Sequence, residues 1–337
     1  MCIQTSRHGR RTARQVAEIV TVLSLCAQPV KAQPGDALVR VLDAKRSTMQ
    51  QEITRLADAG FDIALARLDP GLVIAQRGPE PGPHAYLFVE DLQTFLTGKR
   101  LERGYRLLPQ SLSPGGKPYC AVFEKRDNDD QLREYAFVMG SSTDDLEKKA
   151  RTSLSDGFVP VAINTEDDAI AVFERQPEAG SWKLLATKST ATMEKELAAA
   201  AVEGYRVVAA AGGLELTYAL VQHAGSEPAE YRLLSATRAS TLARELNESA
   251  AQGFRFVPRS LAALLGGLAN EAAVVVEKST AEPAITYRIV GARRLSTIAK
   301  ETHETASRGF TIVAALLGYE ETVVILVSPR ETSTMVR

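Results

Sequence analysis

Three histidines, one cysteine and two acidic turns are the residues best equipped for chemistry past the N-terminal stretch of this 337-residue chain. His84, His223 and His303 lie far apart, and none has a second histidine or a cysteine at metal-ligand spacing. Cys120 sits inside the apolar run Tyr119-Cys-Ala-Val-Phe123, where a thiol packs as a small hydrophobe rather than acting as a nucleophile. Asp127-Asn-Asp-Asp130 and Glu166-Asp-Asp168 carry carboxylates that attract hard cations. The first lacks the turn glycine and closing glutamate of a calcium loop, and short acidic turns are ordinarily just solvated. No nucleophile elbow, phosphate loop or dinucleotide fingerprint occurs. The sequence therefore predicts no catalytic residue, no metal and no cofactor.

What the sequence does carry is a repeat. A glycine followed by an aromatic recurs six times: Gly60-Phe61, Gly104-Tyr105, Gly157-Phe158, Gly204-Tyr205, Gly253-Phe254 and Gly309-Phe310. A helical segment precedes each pair. In Ser240–Gly253, Leu242, Leu246, Ser249 and Ala250 form one apolar stripe, Ser240 or Thr241 is suited to cap the start, and Gly253 suits the left-handed position that ends a helix. A first strand opens with Tyr86, Tyr135, Trp182, Tyr231 or Tyr287, and with Leu38 in the first copy. The interval to the glycine is 22 residues in every copy but the second, where it is 18. The four missing residues amount to about one helical turn. After the glycine come two strands joined by a turn, the second of them a nearly continuous apolar run such as Ala169-Ile-Ala-Val-Phe173. Such runs predict strands that are central or buried on both faces.

These periods define an α+β fold of six tandem β-α-β-β repeats, over 36–80, 84–126, 134–176, 181–224, 230–279 and 286–330. Each is predicted to form a mainly antiparallel sheet with a helix on one face and a right-handed crossover between strands one and two. A unit of this size buries too little surface to stand alone, so neighbours must pack together. Copies one and four share Thr-Met-x-x-Glu (Thr48–Glu52 and Thr192–Glu196). Copies two and five share Pro109-Gln-Ser-Leu112 and Pro258-Arg-Ser-Leu261. These pairs suggest two triplets, 36–176 and 181–330. The repeat also resembles the small bacterial proteins of domain-of-unknown-function family 4177. They too open on a Tyr-rich strand, run through a Leu-rich helix to a Gly-aromatic step, and close with a hairpin. That resemblance implies a fold and no activity.

Residues 1–32 read as an export signal: a basic stretch from Arg7 to Arg14, an apolar run over Ile19–Ala27, and small-residue spacing at Val30 and Ala32. Glu18 interrupts the apolar run, and an amphipathic first helix of a cytoplasmic protein is the alternative. The signal places the protein in the periplasm or outside the cell. The remaining chain carries 35 basic and 40 acidic residues, so it offers no electrostatic footprint for nucleic acid. It also has no apolar run long enough to span a membrane. The least ordinary segment is the fifth copy's apolar hairpin, with Leu261, Leu264, Leu265 and Leu268. It is either a contact for a partner or an internal cover over a neighbouring repeat, and the cost of exposed apolar surface favours the cover. The expectation is an exported, non-catalytic binding or structural scaffold for a protein or envelope ligand. The alternatives are a small-molecule carrier with pockets between repeats, and an enzyme whose site is assembled from dissimilar repeats.

Overall fold

The computed structural model describes residues 38–68, 71–77, 84–98, 101–113, 118–126, 129–166, 168–176, 178–223, 227–264, 271–279, 285–317 and 321–329. The export-signal reading of residues 1–32, and the hairpin leucines Leu265 and Leu268, lie outside them.

The fold is α+β, with six α-helices and six separate antiparallel sheets among the described residues. The helices are α1 (Met49–Asp58), α2 (Leu92–Gly98), α3 (Thr143–Ser153), α4 (Thr190–Val202), α5 (Ala239–Ala251) and α6 (Leu295–Ala306). In every sheet the third strand of the repeat lies between the first and the second. That position explains its apolar run: Val73–Ala75, Ile170–Phe173, Val274–Val276 and Val324–Leu326 are all fully buried. All six glycines before the aromatics have φ between 78° and 87°, the left-handed conformation that ends a helix at least cost when no Cβ is present. The ring that follows five of these glycines is covered by a cation from its own sheet. Arg232 lies 4.0 Å from the Phe254 centroid and Lys183 lies 4.1 Å from that of Tyr205.

Helix starts depart from the expectation in one place. α5 begins at Ala239 with Arg238 at the capping position and no side-chain cap, so Ser240 and Thr241 already lie in the first turn. Ser142 and Ser189 do cap α3 and α4, accepting from the backbone N–H three residues on.

Each helix packs on its own sheet and also on the first strand of the next repeat. Thus α1 meets repeat 2, α2 meets repeat 3, and so on to α5 against repeat 6; α6 meets Val39–Asp43 of repeat 1. The six repeats therefore close into a ring. Six apolar clusters fill the six junctions, each drawing side chains from two consecutive repeats. The cluster at the seam joins Leu65, Leu72 and Ile74 of repeat 1 to Val290, Ile298 and Leu326 of repeat 6. Second strands form the inner rim. Those of repeats 3 and 4 touch, as do those of repeats 6 and 1, and the 3-10 turn Pro109–Ser111 of repeat 2 bridges repeats 1 and 3.

A polar latch accompanies each junction, set by the residue three places after the glycine. The hydroxyl of Tyr86 accepts from the N–H of Ile63 (3.1 Å), Tyr135 from Leu107 (3.1 Å), Tyr231 from Val207 (3.4 Å) and Tyr287 from Phe256 (2.9 Å). Each tyrosine belongs to the repeat after the one it latches. Between repeats 3 and 4 the equivalent position is Pro160, which has no N–H, and the tyrosine's place is taken by Trp182, which has no acceptor oxygen. At the seam no tyrosine is available, and Gln76 substitutes. Its Oε1 accepts from the N–H of Ile312 (2.6 Å) while its Nε2 donates to the carbonyl of Phe310 (3.3 Å). The same N–H is thus satisfied or deleted at all six junctions, as a buried donor requires. Tyr287→Phe strands the Phe256 N–H and should lower stability by about 1–3 kcal/mol, read as a fall in the denaturant midpoint. Trp182→Tyr should bring no gain, because no donor faces it.

Repeats 2 and 5 share a second device. Pro109 and Pro258 interrupt the second strand, and a serine two places later repairs the ladder. Ser111 Oγ accepts from the N–H of Val122 (2.7 Å), and Ser260 Oγ accepts from the N–H of Val275 (2.9 Å). Three repeats separate the two breaks, so they face one another across the ring.

Candidate functional site

The dissimilarities between repeats collect in three places. The first follows from the short second helix. α2 has seven residues where α3 to α6 have 11 to 13, so its C-terminal end stops short of the next repeat. The wedge left open encloses about 460 Å³ between Leu96, Gly98 and Leu101 on one side and Leu132, Arg133 and Tyr135 on the other. Leu132 is 49% exposed there, an apolar side chain in an otherwise filled junction. A Cβ added to Gly98 would meet no atom within 4 Å.

The second place lies on the other side of repeat 3. A cleft of about 450 Å³ separates the end of α3, from Ala150 to Phe158, from Gly180, Ser181 and Trp182. Trp182 stands edge-on to Phe173 with centroids 5.2 Å apart, and the Arg151 guanidinium covers its outer face at 4.3 Å. Arg151 is fixed by Glu147 and by the Trp182 carbonyl (2.8 Å), so the cleft has a preset aromatic–cation wall.

Behind the first wedge lies a network of charges. Arg133 pairs with Asp129 (2.7 Å) and approaches Glu174 (3.5 Å), while Arg106 makes two hydrogen bonds to the buried Glu124 (2.8 and 3.0 Å). Burial pushes the Glu174 carboxyl above its ordinary range, against the opposing pull of Arg133. Burial likewise raises the phenols of Tyr86 and Tyr135, and lifts that of Tyr231 to about 12, so these latches keep their protons.

The third place is the axis. In repeats 2, 3, 4 and 6 the residues five and six places after the glycine line the inner rim, and repeat 5 contributes Arg259 and Leu261. Pro109, Gln110, Ala162, Ile163, Ala209, Ala210, Arg259, Leu261, Ala314 and Ala315 surround an opening of about 40 Å³. Arg259 has φ 68°, the one positive value at a non-glycine among the described residues. A left-handed arginine costs about 1–2 kcal/mol relative to an unstrained backbone.

The residues singled out by sequence are dispersed. His84 begins the first strand of repeat 2, His223 ends the third strand of repeat 4, and His303 lies within α6. No group of three or more His, Cys, Asp or Glu among the described residues is placed to hold a metal ion. Cys120 is buried, and that burial pushes its thiol up to about 11, against nucleophilic use. Of the acidic turns, Asp129 is tied to Arg133, Glu166 accepts two hydrogen bonds from Arg67 (2.8 and 2.9 Å), and Asp168 accepts from the Tyr119 hydroxyl. Glu166 thereby joins repeat 3 to repeat 1 and Asp168 joins it to repeat 2, while Asp129 and Arg133 pair within the connector between repeats 2 and 3; Asp127, Asn128 and Asp167 lie outside the described residues. Leu261 is buried in the junction of repeats 5 and 6, and Leu264 is half-buried against that of repeats 4 and 5. Arg133, Gln110 and Arg259 went unremarked as site residues in the sequence. Aligning the copies on their glycines singles out the last two, since their counterparts are Ala66, Ile163, Ala210 and Ala315. No helix among the described residues is long and apolar enough to cross a membrane. No family model matches the chain, and neither the curated proteins nor the solved structures compared with it contain a match.

Proposed function

We propose that this chain is an exported, non-catalytic binding scaffold whose ligand, a protein or envelope component, engages the ring on the two sides of repeat 3. The observation that carries this reading is the pair of clefts at the ends of α2 and α3, on the two sides of repeat 3. A ring stabilises its repeats mutually, and this leaves individual surfaces free to diverge for recognition. Leu132 and the Arg151-covered Trp182 supply the apolar and aromatic–cation contacts on which binding sites commonly rest. A second reading, a small-molecule carrier, is favoured by cleft size alone, since about 460 and 450 Å³ fall within the usual range of ligand pockets.

Photo-crosslinking separates the two. With a photoreactive side chain at position 132 in the native host, the scaffold reading expects a discrete macromolecular adduct that Gly98→Phe, which fills the wedge, abolishes. A mass gain of only a few hundred daltons, equally sensitive to Gly98→Phe, would favour the carrier. The same adducts from a photoreactive side chain at the exposed Val202 of α4 would contradict both.

A further inference from the structure

The axial opening brings together two polar side chains that have no hydrogen-bond partner among the described residues. Among the described residues Arg259 forms no hydrogen bond or ion pair and the Gln110 side chain forms no hydrogen bond, and both line the same opening of about 40 Å³. Each stands six residues past its repeat's glycine, where the other four copies have alanine or isoleucine. Each belongs to a Pro-x-Ser-Leu turn that breaks the second strand, and both line the opening.

We propose that the axis of the ring is a binding site for one small oxyanion, held by the Arg259 guanidinium and the Gln110 amide. The site is independent of the clefts beside repeat 3. Four features argue for it. An arginine held in a left-handed backbone, at a position where neighbouring copies have alanine, is a strained residue kept for its side chain. Solvent reaches Arg259, yet the surrounding protein crowds it enough that burial, and then repulsion from Arg106, lowers its hold on its proton. An unpaired cation in such a place gains from an anion more than one in open water does.

The local charge also leaves a surplus. Arg106, Arg126, Arg133 and Arg259 face three carboxylates, Glu124, Asp129 and Glu174, and those three are already engaged by the first three arginines. Glu174 attracts Arg259 through space but does not pair with it. Size selects the ligand class. A single water needs roughly 10–15 Å³ of such space, so about 40 Å³ admits one compact group and excludes a nucleotide or a sugar. The planar guanidinium suits two oxygens of an oxyanion, and the amide N–H₂ supplies a further donor.

The test is calorimetric titration of the full-length chain with inorganic phosphate, and in parallel with sulfate and acetate, at constant ionic strength and pH 7. One saturable site per chain is expected for at least one of the three. Arg259→Gly should raise its dissociation constant at least tenfold, while the melting temperature without anion stays equal or rises, because glycine accepts the left-handed backbone. Arg259→Asn, the other residue suited to that backbone, should lose binding equally, and Gln110→Ala should weaken it severalfold. Absence of a saturable site for all three anions would overturn the proposal. So would a folded Arg259→Gly protein that binds as the parent does.

Discussion

Replacing Ile74 by aspartate is expected to remove more than about 4 kcal/mol of stability, enough to unfold much of the population at room temperature. Ile74 is on the third strand of repeat 1 and is fully buried. Its neighbours in the strand, Val73 and Ala75, face α1, whereas Leu72 and Ile74 face the side chains of repeat 6. The burial of Ile74 therefore depends on the last repeat of the chain. In an open row of repeats that face of the first sheet would meet water, and a charge there would be tolerated or would aid solubility. Urea denaturation of Ile74→Asp beside Ile53→Asp, whose site in α1 is buried with or without a closed ring, distinguishes the cases. Comparable losses are expected for both; a neutral Ile74→Asp beside a damaging Ile53→Asp would mean an open array.

The second large effect is expected at Gly212 of repeat 4, which lies against the backbone of Ala263 in repeat 5. A Cβ on this residue would lie 1.9 Å from the carbonyl oxygen of Ala263 and 2.5 Å from its nitrogen. The neighbouring Gly213 donates its N–H to that same carbonyl at 2.9 Å. Both obstacles are backbone, held on the other side by pairing of Ala263 with Ala272, so no side-chain rotation relieves the clash. Gly212→Ala should cost about 3 kcal/mol, at the upper end of overpacking effects. Gly98→Ala is the matched control. It enters open space at the end of α2 and should change stability by no more than about 1 kcal/mol, in the stabilising direction if any. Equal midpoints for the two variants would contradict the close approach of these repeats.

The two sites also mark what the sequence made legible. The glycine–aromatic steps, the shortened second helix and the central third strand follow from local rules, because a left-handed cap and an unbroken apolar run act within a few residues. Ring closure does not. It depends on Leu72 and Ile74 presenting a second apolar face, and a strand buried on both faces looks alike whether its second cover comes from the preceding repeat or from the last one. The start of α5 differs from the expectation: Ser240 and Thr241 are good caps, but the helix begins before them at Ala239, with Arg238 at the capping position and no side-chain cap. The apolar stripe Leu242, Leu246, Ser249 and Ala250 was readable, and all four side chains are buried. At the candidate sites the legible part was the deletion in copy two, which became a wedge, and the Pro-x-Ser-Leu pairing of copies two and five, which became the axial turns. The tyrosine latches were visible as conserved strand starts within the repeat, whereas their partners were not. Only the assembled ring shows that Pro160 and Trp182 relieve each other of a hydrogen bond the other junctions make. Their shared loss, three repeats from the glutamine latch at the seam, shows that the copies diverged while one physical requirement was kept at every junction.

Closure of the ring is measured most directly by the distance between its first and last repeats. Spin labels at Asp43, at the end of the first strand, and at Glu301, on the exposed side of α6, sit on elements that pack together. Pulsed electron resonance should return one narrow distance distribution below roughly 30 Å, the span of two adjacent layers of about 10 Å each plus two label arms. An open stack of six sheets and six helices would place the labels on the order of 100 Å apart, and a distribution centred at such distances would contradict the closed ring.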